Sequence, residues 1–296
     1  MKAPFKFHGG KSRIADWISS FIPPHTIYVE PFFGAGNVFF KKPTVDHHLY
    51  QEVINDLESN VYMFFKVLRD HNELLSQKLL NTPYSREEKE KCWEYINKDR
   101  KEMIEWARCF YVVIVEGFGG AQNMSWGRSV GSNQAKRMKR DLSHFRDRLL
   151  NVNIENQDVL DVIDFWDTPS TCFYLDPPYP TTDQRYNNQY SVEDYCKLCE
   201  KLKTIKGCFL MSNYENSFFN YPEEWMIERK ETKSTMSQYK KDLKRIEVLY
   251  HTKMDIETWG KEDRKVYESG LLDVFKYDNP RSKRLKEVTL DILQKG

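Results

Sequence analysis

The sequence predicts an α/β protein, with a Rossmann-like, mainly parallel sheet that has helices on both faces and an inserted, mostly helical domain. Short apolar segments of strand length alternate along the chain with stretches whose apolar residues recur at helical spacing. Strands separated by helices pair in parallel, because the crossover helix returns the chain to the same end of the sheet. A charged helical block, residues 72–150, interrupts the alternation, and it predicts the inserted domain.

The first elements lie before residue 71. Apolar residues on one face predict a helix over Lys11–Phe21, and a strand over Thr26–Glu30 then runs into a glycine-rich loop. A second strand ends at Asp56, and the helix that follows it has one apolar face. That face consists of Leu57, Val61, Phe64, Phe65 and Leu68.

The alternation resumes after residue 150. It predicts a strand over Val152–Glu155, a helix from Asp158, a strand over Thr171–Leu175, a helix over Ser191–Ile205 and a strand over Gly207–Ser212. We therefore assign residues 1–71 and 151–250 to one domain, residues 72–150 to the inserted domain and residues 251–296 to a C-terminal extension. The extension is predicted to contain a helix with Leu285, Val288, Ile292 and Leu293 on one side.

The segment Asp176-Pro177-Pro178-Tyr179 follows the strand over Thr171–Leu175 and is the most informative motif. The exocyclic amine of a nucleobase is a weak nucleophile, because its lone pair is delocalised into the ring. A carboxylate and a backbone carbonyl that both accept its N–H bonds would direct that lone pair. Asp176 supplies the carboxylate, and Pro177 has a carbonyl but no N–H. Tyr179 offers a flat face on which an extruded base could stack.

A second motif lies upstream, in Tyr28-Val29-Glu30-Pro31-Phe32-Phe33-Gly34-Ala35-Gly36-Asn37. Its two glycines allow the backbone to approach a ligand and to expose N–H groups at a helix start. The third glycine of the dinucleotide-binding fingerprint is absent. Both motifs follow strands of one α/β pattern, and such sheets bind ligands at the carboxyl ends of their strands.

From Phe5 to Tyr250 the chain resembles the Dam-type adenine-N6 DNA methyltransferases, in which these motifs hold S-adenosylmethionine and carry catalysis. The resemblance implies Asp176, Pro177 and Tyr179 as catalytic residues. It also implies that Asp56 binds the cofactor ribose and that Asp158, in the segment Asn156-Gln157-Asp158, lies near the cofactor adenine. The full set of expected cofactor-binding residues is Phe7, Lys11, Glu30, Phe32, Gly34, Gly36, Asp56, Asp158 and Asp176.

The expected macromolecular partner is double-stranded DNA. The net charge is only +1, from 45 basic and 44 acidic residues, so DNA binding requires local basic patches. Amides, an aromatic ring and an arginine suited to reading and stacking on bases lie in the loop between Gly117 and Gly131. The expected DNA-binding residues are Gln122, Asn123, Trp126, Arg128, Arg137, Lys139, Lys240 and Lys241. The recognition sequence stays open, because Phe118–Arg128 departs from the GATC-reading pattern of the family.

Several other functions are disfavoured. The longest apolar run, Cys109–Val115, is too short to span a bilayer, so we expect no membrane association. Cys196 and Cys199 lack a second pair of ligands, so we expect no metal site. The six cysteines show no disulfide framework, which favours a reducing, cytoplasmic location. We expect a monomer or weak dimer.

Three related enzyme classes remain open as alternatives. Cytosine-N4, RNA adenine and protein glutamine methyltransferases all use related sites. A catalytically silent DNA-binding protein with the same fold is a fourth alternative, and the intact Lys11, Asp56 and Asp176 argue against it. The absence of any Pro-Cys dipeptide argues against the covalent route of cytosine-C5 methylation.

Overall fold

A computed structural model of the chain describes residues 1–117, 140–179, 190–215, 219–233 and 244–275. Within these ranges seven strands form one sheet. The strands are β1 (Ile27–Glu30), β2 (Gln51–Asn55), β3 (Val152–Glu155), β4 (Thr171–Leu175), β5 (Cys208–Tyr214), β6 (Met226–Lys233) and β7 (Lys244–His251). The helices are α1 (Ala15–Ser19), α2 (Ser59–Asp70), α3 (Asn72–Leu80), α4 (Arg86–Ile96), α5 (Met103–Glu116), α6 (Ser143–Leu149), α7 (Val159–Trp166), α8 (Val192–Leu202) and α9 (Lys261–Glu268). Two short 3-10 helices cover Ile256–Thr258 and Leu271–Phe275.

The strand order is β3-β2-β1-β4-β5-β7-β6. The first five strands of that order pair in parallel, and β7 pairs antiparallel with both β5 and β6. The mainly parallel α/β fold predicted from the alternating pattern is thus confirmed. The chain reverses its strand order between β1 and β4, which is where sheets of this kind form a ligand crevice.

Each face of the sheet packs against its own layer of helices. Tyr28, Ile54 and Tyr174 point into a core that also contains Ile18 of α1 and Phe64 of α2. The alternate positions, which include Val29, Val53 and Phe173, point into a second core with Ile163 of α7 and Leu198 of α8. This period-2 division explains why the strands read as continuous apolar runs, since both of their faces are buried.

The described helices of residues 72–150 share the first core. Leu75, Cys92, Phe110 and Phe145 from α3, α4, α5 and α6 all belong to the cluster that covers the sheet. A buried ion-pair cluster also joins α6 to β2, because Glu52 accepts from Arg148 on one side and from Lys42 on the other. The helices that precede and follow residues 118–139 therefore rest on the sheet itself. The domain boundaries stay a prediction.

Residues 252–275 also join this core. Trp259, Leu272 and Phe275 are buried in it. The Oγ1 atom of Thr26, just before β1, lies 2.7 Å from Asp263 Oδ1 in α9. This part of the C-terminal extension therefore closes the end of the sheet opposite the motif loops. The predicted helix around Leu285 lies outside the described residues.

Two predicted helix boundaries differ from the observed ones. The predicted helix over Lys11–Phe21 is regular only over Ala15–Ser19, because Lys11 to Ile14 form a tighter turn with a 2.9 Å bond from Ile14 N to Lys11 O. Leu57 was expected on the buried face of α2 but is 54% exposed. It precedes the N-cap residue Glu58, so the helix begins beyond it.

Within the described ranges no helix combines the length and apolar character needed to cross a membrane. The same residues contain no group of three or more His, Cys, Asp or Glu side chains arranged to hold a metal ion. All six cysteines lie in these ranges as free thiols.

Candidate active site

Residues from the predicted motifs follow four strands that are adjacent in the sheet. Asp158 follows β3, Asp56 follows β2, the glycine loop follows β1 and Asp176 follows β4. Because these four strands are parallel, their carboxyl ends lie along one edge of the sheet. The expected cofactor and catalytic motifs are thereby brought side by side.

The glycine loop adopts a conformation that requires glycine at two positions. Gly34 has a φ of +50° and Gly36 a φ of +68°, in the left-handed region that side chains disfavour. A Cβ atom at Gly34 would lie 3.1 Å from Cδ1 of Phe7, and one at Gly36 would lie 2.4 Å from Cζ of Phe33. Phe7 therefore packs directly on the loop, and its contact with the cofactor stays a prediction.

Asp56 braces this loop from the neighbouring strand. Its Oδ2 accepts a 2.7 Å hydrogen bond from the Gly34 N–H, and its Oδ1 accepts a 2.9 Å bond from the Glu58 N–H. Burial raises the pKa of Asp56 to about 7, although both backbone N–H groups favour the ionised form. The acid expected to bind the ribose thus also fixes the conformation of the glycine loop.

Asn55 joins three of the motif loops, and its importance was missed from the sequence. Its Nδ2 donates to Pro31 O at 3.0 Å and to Gln157 O at 3.1 Å, and its Oδ1 accepts from Gln157 N at 2.8 Å. The side chain is buried, so these bonds replace the water it would otherwise bind. The loops after β1, β2 and β3 therefore form one connected unit.

Asp176 is held by Lys11 and Tyr179. The ammonium group of Lys11 lies 2.8 Å from Asp176 Oδ1, and the Tyr179 hydroxyl donates to the same oxygen at 3.3 Å. The Lys11 Nζ also lies 4.8 Å from the centroid of the Tyr179 ring. Burial raises the pKa of Asp176, while Lys11 and Tyr179 oppose the rise. The predicted catalytic carboxylate thus lies beside the Tyr179 ring and the Lys11 ammonium.

Glu30 lies deeper than the other expected cofactor-binding residues. It is 2% exposed, and its Oε2 accepts a 3.0 Å bond from the Tyr28 hydroxyl two residues earlier on β1. Burial raises the pKa of Glu30 well above its ordinary value. Its carboxyl group is therefore part of the buried layer below the loop, and a direct contact with the cofactor stays a prediction.

Phe32 follows β1 and Asp158 follows β3 along this edge of the sheet. Asp158 caps α7 by accepting a 2.8 Å bond from the Leu160 N–H. The half-buried Phe32 ring meets the ring of Tyr190 nearly edge to face, with 5.7 Å between centroids. Tyr190 was not predicted. Its position immediately before the capping box of α8, Ser191 with Asp194, is the only sequence signal that marks it.

Each of the eight predicted DNA-binding residues lies outside the described residues. Six of them fall in residues 118–139 and two in residues 234–243. Their roles stay predictions.

Among solved structures, the chain is similar to the rRNA methyltransferase aviRa from Streptomyces viridochromogenes, with 12% sequence identity and a TM-score of 0.34. That similarity covers 82% of this chain and 85% of the other. No curated protein sequence matches the chain. The family model described as D12 class N6 adenine-specific DNA methyltransferase matches residues 7–236. This match spans most of the chain and includes both motifs, and the protein is therefore a member of the D12 class N6 adenine-specific DNA methyltransferase family.

Proposed function

We propose that this enzyme transfers a methyl group from S-adenosylmethionine to N6 of an adenine that it extrudes from duplex DNA, in the cytoplasm. The observation that carries the proposal is the position of Asp176. Its carboxylate follows β4, directly beside the glycine loop that follows β1. An amine held by Asp176 therefore lies next to the expected site of the methyl donor.

The residues along this edge fit S-adenosylmethionine. Gly34 and Gly36 give the loop its left-handed backbone conformation, and their missing Cβ atoms leave room for the rings of Phe7 and Phe33 that pack on it. Asp56 provides a carboxylate suited to ribose hydroxyls, and Phe32 provides an apolar ring suited to an adenine. Lys11, Gly34, Asp56 and Asp176 would hold the cofactor, which supplies a methyl group on a positively charged sulfur.

Asp176 and the carbonyl of Pro177 would orient the target amine. Each can accept one N–H bond from N6, which fixes the direction of the nitrogen lone pair. Positioning of this kind supplies much of the rate acceleration when the donor is already reactive. Asp176 is 18% exposed at its side chain, so its hydrogen bonds form in a largely dry environment.

Lys11 contacts both groups that the proposal assigns to the target base. Its ammonium group donates to Asp176 at 2.8 Å and lies over Tyr179, the ring on which the extruded base would stack. A base stacked on that face of Tyr179 would displace the Lys11 ammonium from the ring. After transfer, the methylated amine is cationic and acidic, so Asp176 can accept its proton without being a strong base.

The test is incubation of the purified protein with unmethylated genomic DNA and S-adenosylmethionine, followed by single-molecule mapping of modified bases. We expect N6-methyladenine in one recurrent sequence. Asp176→Ala should lose at least about a thousandfold in rate, because it removes the main acceptor of the amine. The matched control is Asp164→Ala on the exposed side of α7, which should remain active.

Two outcomes would contradict the proposal. Methylation by Asp176→Ala at the wild-type rate would remove the role of the carboxylate. Wild-type protein that binds S-adenosylmethionine but leaves adenine unmodified would point to another substrate, such as cytosine, RNA or protein.

A further inference from the structure

Tyr214, at the end of β5, packs against the predicted stacking residue Tyr179. The two ring centroids are 4.6 Å apart and the rings meet at 70°. We propose that Tyr214 is a positioning residue, which holds the Tyr179 ring in the orientation that an extruded adenine stacks on. This inference rests on the function proposed above, and it assigns a role to a residue outside the two main motifs.

The sheet brings these two rings together. β4 and β5 pair in parallel, with Leu175 opposite Met211. Tyr179 is four residues beyond Leu175, and Tyr214 is three residues beyond Met211. Both rings therefore project beyond the same edge of the sheet, next to each other.

The backbone of Tyr214 is fixed by the residue before it. The Tyr214 N–H donates to Asn213 Oδ1 at 2.7 Å, and Asn213 Nδ2 donates to the Tyr195 hydroxyl at 2.5 Å. The Tyr195 hydroxyl lies 2.8 Å from that of Tyr221. Asn213 and Tyr195 are buried, and Tyr195 belongs to α8. Tyr214 is thus anchored to the helix layer below the sheet and provides a rigid support.

Within the described residues Tyr179 also contacts Asp176 and Lys11, and both contacts lie where the proposed substrate would bind. Its hydroxyl donates to Asp176 Oδ1, the carboxylate that the amine would use. The ammonium of Lys11 lies 4.8 Å from the centroid of its ring, and a base stacked on that face would displace it. The contact with Tyr214 involves neither the amine nor Lys11. Tyr214 therefore continues to define the plane of Tyr179 when the base is bound.

The test compares Tyr214→Ala with Tyr214→Phe in the full-length protein, using the recognition sequence found by mapping. Three quantities are measured: the single-turnover methylation rate, the emission of 2-aminopurine placed at the target adenine, and the dissociation constant for S-adenosylmethionine. An edge-to-face ring pair stabilises the orientation of its partner only modestly. Tyr214→Ala should therefore lower the methylation rate by roughly 3- to 10-fold and reduce the change in 2-aminopurine emission. Tyr214→Phe retains the ring and should restore both, and cofactor affinity should stay unchanged in both variants.

The control is Phe165→Ala, which removes a ring on α7 that is 77% exposed. It should match the wild type in all three measurements. The inference is overturned if Tyr214→Ala has the wild-type rate and emission, or if Tyr214→Phe is as impaired as Tyr214→Ala. It is also overturned if the rate falls only together with cofactor affinity and the unfolding temperature, since that pattern indicates a general structural role. A wild-type protein that does not methylate DNA would overturn the proposed function itself, and the role of Tyr214 with it.

Discussion

The ammonium of Lys11 and the carboxylate of Asp176 form an ion pair of 2.8 Å in which both side chains are largely buried. Lys11 also donates to the carbonyl of Gly9 at 3.0 Å, so it is fixed from two directions. The ion pair stabilises the charge on Asp176, because an ionised carboxylate away from water is energetically costly without a partner. Lys11 thereby keeps Asp176 ready to accept an amine.

We predict that Lys11→Gln shifts the acidic limb of the pH–rate profile to higher pH. Burial raises the pKa of Asp176 and Lys11 opposes that rise, so loss of the cation raises the pKa further. The ionised carboxylate accepts the N–H bond of the amine more strongly than the protonated acid does, so activity requires a higher pH in the variant. The profile of kcat/KM reports the pKa values of groups in the free enzyme, so its acidic limb should move to higher pH.

Lys41→Gln is the matched control, because Lys41 pairs at the surface with the exposed Asp16. Its profile should coincide with that of the wild type. An acidic limb that stays in place in Lys11→Gln would show that Lys11 does not set the ionisation of Asp176.

We predict that the affinity for S-adenosylmethionine increases as the pH rises from 6 to 8. Burial raises the pKa of Asp56 to about 7, so the carboxyl is protonated in much of the protein at pH 6 and ionised at pH 8. Ribose hydroxyls donate more strongly to an ionised carboxylate. Calorimetry should therefore detect proton release on binding below pH 7.

Asp56→Asn tests the assignment of this pH dependence. It should weaken binding about tenfold or more and remove most of the dependence on pH. The amide also turns a donor toward the N–H of Gly34 or Glu58, which disturbs the loop. Binding that tightens toward pH 6, or that keeps its full pH dependence in the variant, would contradict the assignment.

We predict that Gly36→Ala abolishes cofactor binding, whereas Gly270→Ala does not. Both glycines have a positive φ, +68° and +78°, so both substitutions introduce backbone strain of about 1–2 kcal/mol. At Gly36 the new Cβ would also lie 2.4 Å from the ring of Phe33. At Gly270 the nearest heavy atom is 3.7 Å away, so only the strain applies.

Thermal unfolding and cofactor titration of the two variants distinguish the effect of backbone strain, which both share, from that of the steric clash with Phe33, which only Gly36→Ala introduces. Both proteins should unfold at a lower temperature than the wild type, and only Gly36→Ala should lose affinity for the cofactor. Equal effects on binding would show that the glycine loop does not contact the ligand.

We predict that Glu52→Gln destabilises the protein by about 3–5 kcal/mol at pH 7, because it leaves two buried cations without their carboxylate. Burial alone would raise the pKa of Glu52, but Lys42 and Arg148 lower it to about 2. A carboxyl with a depressed pKa stabilises the fold above its ordinary value of 4.5, and this contribution is lost as the pH falls toward 2.

Urea unfolding at pH 7, 4 and 3 tests both parts of this prediction. The variant should be less stable than the wild type at pH 7, and the difference should shrink as the pH falls. Asp16→Asn, which breaks the exposed pair with Lys41, should change stability by no more than about 0.5 kcal/mol. A difference that is the same at all three pH values would contradict the ionic role of Glu52.

The sequence was sufficient to predict the sheet and the strands that carry the main motifs. This worked because both sheet faces are buried, so each strand is a short apolar run that ends at a polar or glycine-rich motif. Asp56, Asp158 and Asp176 could be placed at one edge for the same reason, since carboxyl ends of parallel strands coincide. The end of the second strand was predicted within one residue, but Leu57 was not placed correctly. A local turn at Asp56 overrides the apolar pattern there.

The contacts between loops could not be predicted. Asn55 bonds Gln157, which is 102 residues away in sequence, and no local pattern marks that pair. Tyr190 and Tyr214 are two of 17 tyrosines, and most aromatic residues of such a chain fill the core. Their roles follow from the relative positions of strand ends, which depend on strand order rather than on composition.

The strand order has a consequence for synthesis of the protein on the ribosome. β1, β2 and β3 are adjacent and can pair once residue 155 has emerged, but β4 pairs with β1 only after residue 175. The glycine loop follows β1 and Asp176 follows β4, so the two lie on opposite sides of the junction between these strands. Thr26, just before β1, meets Asp263 later still. The nascent chain therefore exposes one open edge of β1 for more than 140 residues of translation, and its catalytic centre assembles late.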